Sequence, residues 1–175
     1  MDFLTLAKRR FSARKYSDTP VEEQKIARIL ELARVAPTAH NKQPLRLIVL
    51  RDGELRKRVD ALYDREWLGE VPVLLVVCGD HGQSWKREDG KDHCDIDAGI
   101  AIAQMMLAAT EIGLATCCVC NFAAAQCAAV LNLPPDLEPI AIVPLGYAAV
   151  EPDVSRHDAK RKKFEEMVYW DGFKG

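Results

Sequence analysis

The chain has none of the short glycine-rich signatures that mark the common nucleotide enzymes. No Gly-x-Gly-x-x-Gly follows an apolar run, and no Gly-x-x-x-x-Gly-Lys-[Ser/Thr] occurs anywhere. Both motifs let backbone amides reach a pyrophosphate. Without them a dinucleotide-fold dehydrogenase and a P-loop nucleotide hydrolase lose their main support. Gly-x-Ser-x-Gly and His-Glu-x-x-His are missing as well, which removes the common serine-hydrolase and zinc-protease readings. Basic charge is not in excess: 24 Lys+Arg against 26 Asp+Glu give a net charge of −2. A chain that grips nucleic acid regardless of sequence needs positive charge to displace counterions, so no nucleic-acid partner is expected.

Continuous apolar length is also lacking. Residues 112–135 carry no charge, but Gly113, Thr116, Asn121, Gln126, Asn132 and Pro134 interrupt them. A bilayer helix needs roughly 20 unbroken apolar residues, so no membrane partner is expected. At the N-terminus Asp2 precedes a short apolar run that ends at Lys8, the reverse of a secretory signal. Six cysteines without an export signal read as reduced thiols, and the expected setting is cytoplasmic.

What is present is a globular chain long enough for one domain over residues 1–175 with its own core. Thr19-Pro20 followed by Glu22 predicts a capped helix start, and Ile26, Ile29, Leu30 and Ala33 keep helical spacing until Pro37. The apolar runs Leu45–Leu50 and Pro72–Cys78 read as strands, the second buried on both faces, with an exposed helix at Glu54–Tyr63 between them. A polar segment, Gly79–His93, holds Trp85 among charges; a loop this long is often functional. Asp95–Ile112 is a helix with almost no polar face, suited to a core or to a boundary between subunits. Ala115–Cys120 and Glu138–Leu145 read as strands around a helix at Ala123–Leu131, and residues 148–175 give no clear pattern. Interleaved helices and strands indicate an α/β or α+β chain.

Three segments carry groups suited to chemistry. In Arg10-Phe11-Ser12-Ala13-Arg14, an extended backbone would put both guanidiniums and the hydroxyl on one side, with Phe11 and Ala13 on the other. Such an edge grips a phosphate or a planar anion; a solvated basic turn is the plain alternative. Between Ala36 and Pro44, Thr38, Asn41 and Gln43 offer neutral donors and acceptors for a heteroaromatic edge, or form an ordinary turn. His40 and His93 read as plain loop histidines. In Cys117-Cys118-Val119-Cys120-Asn121, the Cys-x-x-C pair Cys117 and Cys120 could be a thiol redox site, half of a zinc site, or small buried apolar residues.

Taken in order, these segments resemble the nitroreductase family in its short form: FMN-dependent oxidoreductases that work as intertwined homodimers. The landmarks are Arg10-x-Ser12-x-Arg14, Ala36-Pro37-Thr38-x-x-Asn41-x-Gln43-Pro44, and the Asp95 helix leading into Gly113-Leu114-x-Thr116-Cys117. Pro144-Leu145-Gly146-Tyr147 and the basic run from Lys160 complete the set. The resemblance implies an α+β three-layer sandwich, with a mostly antiparallel sheet flanked by helices. It implies FMN held by Arg10, Phe11, Ser12, Arg14, Lys160 and Arg161, with Arg14 at the pyrimidine edge of the ring. It further implies contacts from Pro37, Thr38, Ala39, Asn41 and Gln43, partly across the dimer, and from Cys118, Val119, Cys120 and Asn121 against the ring. Hydride would pass from NADH or NADPH through FMN to a small aromatic, nitro or quinone-like acceptor, with no catalytic side chain and no metal. Leu45 and Cys118 stand where the family often has Trp, and Cys120 where it often has Gly or Glu. The alternative is a thiol-redox or zinc-binding module built on Cys117 and Cys120.

Overall fold

In the computed structural model, which describes residues 1–173, the apolar runs become one antiparallel sheet. Strands β1 (Leu45–Leu50), β2 (Val73–Asp80), β3 (Ala115–Thr116) and β4 (Leu137–Gly146) pair in the order β1–β2–β4–β3. Every β2 residue except the last is buried, as its unbroken apolar sequence requires. Val73, Leu75 and Val77 join Ala141, Val143 and Leu145 of β4 in one core, against α2 (Glu23–Arg34) and α4 (Cys94–Glu111). Leu74, Val76, Cys78 and Ile142 point the other way, toward Val59 of α3 (Glu54–Asp60), Leu68, and Cys127 of α5 (Ala124–Val130). The chain is therefore α+β, with an antiparallel sheet covered by helices on both faces.

Three expected boundaries move, each for a physical reason. Helix α2 begins at Glu23, not at Pro20, and its N-cap is Glu22. The expected capping box fails because the Glu22 carboxylate is engaged elsewhere, accepting from Tyr147 Oη at 2.7 Å and pairing with Lys25 at 3.1 Å. Strand β3 stops at Thr116, although Val119 pairs with Ile142 in the same register. Continuing that register puts Cys117 opposite Pro144, which has no N–H to give to the ladder. Helix α3 ends three residues before Tyr63, where Ala61–Asp64 form turns.

Helix α4 is buried along one side, through Ala98, Ala101, Ile102, Met105, Ala108 and Ala109. Its other side is apolar and uncovered: Ile96 is 43% exposed and Ile100 37%, and Gly99 and Ala103 share that face at helical spacing. The unplaced C-terminal region contains α6 (Arg156–Lys160) and a short turn, Phe164–Glu166. Phe164, Met167, Tyr169, Trp170 and Phe173 all lie exposed there.

One charge is buried in the α3 layer. The Arg56 guanidinium donates to Leu68 O at 2.9 Å, Val71 O at 2.8 Å and Asp60 Oδ1 at 2.7 Å, pinning α3 to the segment that leads into β2. Arg56→Ala would remove the guanidinium that donates to the Asp60 carboxylate and to the Leu68 and Val71 carbonyls, of which Leu68 O keeps only the Val71 N–H. It should lower stability by about 2–4 kcal/mol, measured by urea denaturation. A loss below about 0.5 kcal/mol would mean that water replaces the guanidinium freely.

Candidate functional site

The first cluster forms where the two ends of the chain meet. After α1 (Phe3–Arg9), the backbone runs extended beside β3: Ser12 bridges Thr116 in parallel, and the Ala13 N–H donates to Thr116 O at 2.9 Å. Alternation then acts as expected. Ala13 is buried in the core and the Phe11 ring packs against the same core cluster, while Ser12 and Arg14 face outward. Phe11 thus packs on the inner side of this segment, as the alternation predicts.

Arg156 of α6 crosses 146 residues of sequence to donate to Arg10 O at 2.6 Å, and it also reaches Lys8 O at 2.9 Å. This anchors the tail beside α1 and brings Arg161 close to Arg10. Burial lowers the Arg10 pKa, and the like charges of Arg156 and Arg161 lower it further. Among the described residues no carboxylate pairs with Arg10, Arg14, Arg156 or Arg161. Guanidiniums gathered at this cost without an internal counter-ion suit a bound anion. Arg156 escapes sequence reasoning because no local pattern marks it; only the tertiary path of the tail does. Lys160, the last residue of α6, is exposed next to Arg161.

The second cluster is the loop between α2 and β1. His40, Asn41 and Gln43 all sit at left-handed φ, 50°, 53° and 51°. Such a conformation costs about 1–3 kcal/mol per residue and persists only where neighbours enforce it. Three contacts do so here. The buried Asp97 carboxylate of α4 accepts the Ala39 N–H at 2.9 Å, and Thr38 Oγ1 accepts the Gln43 N–H at 3.0 Å. The His40 ring stacks on Trp85 at 4.9 Å, and His93 meets the other side of the network edge-on at 4.6 Å from Trp85. The 79–93 segment therefore buttresses this loop, and His40 and His93 are part of that support. Pro37, Asn41 and Gln43 remain exposed, with Thr38 and Ala39 half-buried. Among the described residues no hydrogen bond, ion pair or aromatic contact joins this loop to Arg10–Arg14.

The third segment borders the first. Cys117 is buried, and Arg10, Ser12 and Arg14 all act electrostatically on its thiol. Cys118 and Cys120 face outward on alternate positions, and their sulfurs lie 3.6 Å apart. The sulfur contact at Cys120 is thus with Cys118, whereas Cys117, the other half of the Cys-x-x-Cys, is buried as the small-apolar reading has it. Burial pushes the Cys117 thiol up; desolvation and the neighbouring Cys120 push Cys118 up to about 12. A thiol held protonated at neutral pH is a poor nucleophile, which disfavours thiol-redox chemistry at Cys117. The Val119 side chain is in the core, and its N–H and C=O are both committed to Ile142 at 2.9 Å. It positions Cys118, Cys120 and the exposed Asn121 rather than offering free groups of its own.

Asp97→Ala should release the 38–43 loop. The Ala39 amide loses its acceptor at a cost of about 1–3 kcal/mol, so its hydrogen exchange should accelerate and proteolysis between Thr38 and Gln43 should increase. Asp97→Asn keeps an oxygen for Ala39 and should leave both unchanged. Equal protection in all three proteins would show that the loop holds itself.

Comparison with known proteins identifies the family. The nitroreductase family model matches residues 7–64 and 59–147. A nitroreductase family protein from Clostridium difficile 630 has a crystal structure that is 39% identical with a TM-score of 0.91, covering 99% of this chain and 100% of that one. A structure from Desulfovibrio desulfuricans, solved in complex with FMN, is 25% identical with a TM-score of 0.83 over 98% and 97% of the two chains. The FMN reductase (NAD(P)H) of Bacillus subtilis strain 168 is 30% identical over 60% of this chain, which spans about half of that protein (48%). The NADH dehydrogenase of Thermus thermophilus is 27% identical over 97% of this chain and 96% of its own length. The matched segments hold Arg10-x-Ser12-x-Arg14, the strained loop and the Thr116-Cys117 strand, and with them the chain belongs to the nitroreductase family.

Proposed function

We propose that the chain is an FMN-dependent oxidoreductase that uses NADH or NADPH to reduce a small aromatic, nitro or quinone-like acceptor. One observation carries the reading: Arg10, Arg156 and Arg161 converge, and among the described residues none of them forms an ion pair with a carboxylate. A phosphate monoester supplies the missing charge, so the donor set fits FMN. Arg10, Ser12 and Arg161 would hold the phosphate, with Lys160 beside them and Arg156 fixing their positions. Arg14, exposed and unpaired, would stand at the electron-rich edge of the ring, where a fixed cation favours the reduced, negatively charged form. FMN, when bound, carries the hydride between nicotinamide and acceptor. The chain's own work is to bind, to orient and to keep the ring face accessible.

The working unit is a homodimer. The uncovered Ile96–Ile100 face of α4 and the exposed aromatics of the tail are apolar surface that a second copy would cover. The strained Pro37–Gln43 loop would then meet the partner's arginine cluster, presenting Asn41 and Gln43 to the ring edge. Cys118, Cys120 and Asn121 would line the pocket from the cluster's own chain. Leu45, at the end of the loop, and Cys118 are small where the family often has Trp, which leaves room for a larger acceptor. The six free cysteines support a reducing, cytoplasmic setting.

The purified protein should be yellow and should release FMN on denaturation. Arg10→Ala and Arg161→Ala should each raise the Kd for FMN by about 10–150-fold, the equivalent of one charge-assisted contact. Arg9→Ala should change it less than about threefold, because Arg9 lies off the cluster, in a cleft with Phe11, Gly113 and Tyr147. A protein that stays colourless after incubation with FMN, or equal effects from Arg9 and Arg10, would overturn the assignment.

A further inference from the structure

Away from the arginine cluster, three side chains of metal-ligand type converge at the end of the sheet where β2 finishes and β4 begins. His81 directly follows β2, and Asp92 and Cys94 flank His93 at the start of α4. One ligand atom from each of the three lies within 4.8 Å of the other two, and His81 Nδ1 is 3.0 Å from Asp92 Oδ2. Around a tetrahedral zinc ion, with bonds of about 2.0–2.3 Å, ligand atoms stand about 3.3–3.8 Å apart. Small side-chain rotations would therefore close the set on one ion.

The surroundings already hold each ligand in a fitting orientation. Glu138 Oε2 lies 2.9 Å from His81 Nε2, so the ring can donate there and leave Nδ1 free to ligate. A carboxylate behind a ligating histidine fixes its tautomer and raises its basicity. Ser84 Oγ and the Cys94 N–H both donate to Asp92 Oδ1, at 2.7 and 2.8 Å, which turns Oδ2 toward His81. Gly79 of β2 supplies the room. A Cβ at that position would fall on Cys94 Sγ and on Ile140 Cδ1, so the sulfur reaches this place only because β2 has a glycine there.

We propose that His81 Nδ1, Asp92 Oδ2 and Cys94 Sγ bind one zinc ion, with water in the fourth position. A neutral imidazole, a carboxylate and a thiolate balance the charge of a divalent ion, and a mixed N, O and S set suits zinc over magnesium or calcium. The ion would enter from the side of His81 and Asp92, whose side chains are 33% and 29% exposed, and Cys94 would close the site from the core. Its role is a brace. It would tie the two ends of the 81–94 segment together and steady Trp85, on which His40 of the strained loop stacks.

The rival description needs no metal: His81 as an imidazolium clamped between Asp92 and Glu138. Cobalt titration of the chelator-treated protein separates the two. The zinc site predicts one Co²⁺ per chain, with thiolate-to-metal charge transfer and intense d–d bands to the red of flavin absorption, both abolished by added Zn²⁺. Cys94→Ser should lose the charge-transfer band and His81→Ala the tetrahedral spectrum. Glu138→Gln should weaken cobalt affinity by about 10–100-fold. The Cys118→Ser/Cys120→Ser double variant should keep the full spectrum. His81 and Glu138 reach the surface, so their variants keep the test decisive if Cys94→Ser does not fold. Absence of a stoichiometric cobalt spectrum, its survival in His81→Ala, or its loss in the Cys118/Cys120 variant would overturn the proposal.

Discussion

Strand β2 has no side chain before Asp80 to give to water on either face, and the rest of the molecule is arranged around that constraint. Val73 to Cys78 are buried at every position, so both faces must be covered. Helices α2 and α4 cover one face; α3, α5 and the Leu68 turn cover the other. Each fully buried aliphatic side chain contributes about 1.5–3 kcal/mol of burial free energy, set against the entropy of ordering the chain. The groups that carry chemistry hang from its rims: the Arg10–Arg14 edge beside β3, the strained loop before β1, and the His81 cluster after β2.

Two rims hold energy that the fold alone does not return. The arginine cluster gathers like charges, and the 38–43 loop holds three non-glycine residues at left-handed φ. In each case neighbouring elements impose the arrangement: Arg156 anchors the tail, and Asp97 with Trp85 anchors the loop. Strain and unbalanced charge that are actively maintained mark places where a ligand completes the structure. Among the described residues no hydrogen bond, ion pair or aromatic contact joins the two sets, and together with the exposed apolar face of α4 this supports the proposal that a second copy completes the site.

Much of this was legible in the sequence because it depends on local pattern. Leu45–Leu50 forms a strand with the residues expected, and the alternation across Arg10–Arg14 puts Ala13 inside and Arg14 outside. The misplacements arise where tertiary contact overrides local preference. Glu22 leaves its capping role for Tyr147, 125 residues away, and Pro144 breaks a ladder that Cys117 and Cys118 would otherwise continue. Arg156 and Asp97 were not readable as site residues, and Trp85 only as a lone aromatic in a polar segment of functional length. Their roles lie in what they hold across the fold, and neither periodicity nor spacing records that. The family resemblance supplied the roles of Arg161 and the 37–43 loop, which spacing alone left open.

The central claim is that each flavin site is built from the arginine cluster of one chain and the loop of its partner. Subunit complementation tests it directly. One variant carries Arg10→Ala with Arg161→Ala; the other carries Asn41→Ala with Gln43→Ala. Each homodimer should bind FMN weakly, because both of its sites are damaged. Mixed dimers should regain tight binding at one site per dimer, where the intact cluster of one chain meets the intact loop of the other. If mixed dimers bind no better than either parent, cluster and loop serve the same site within a single chain, and the account is wrong.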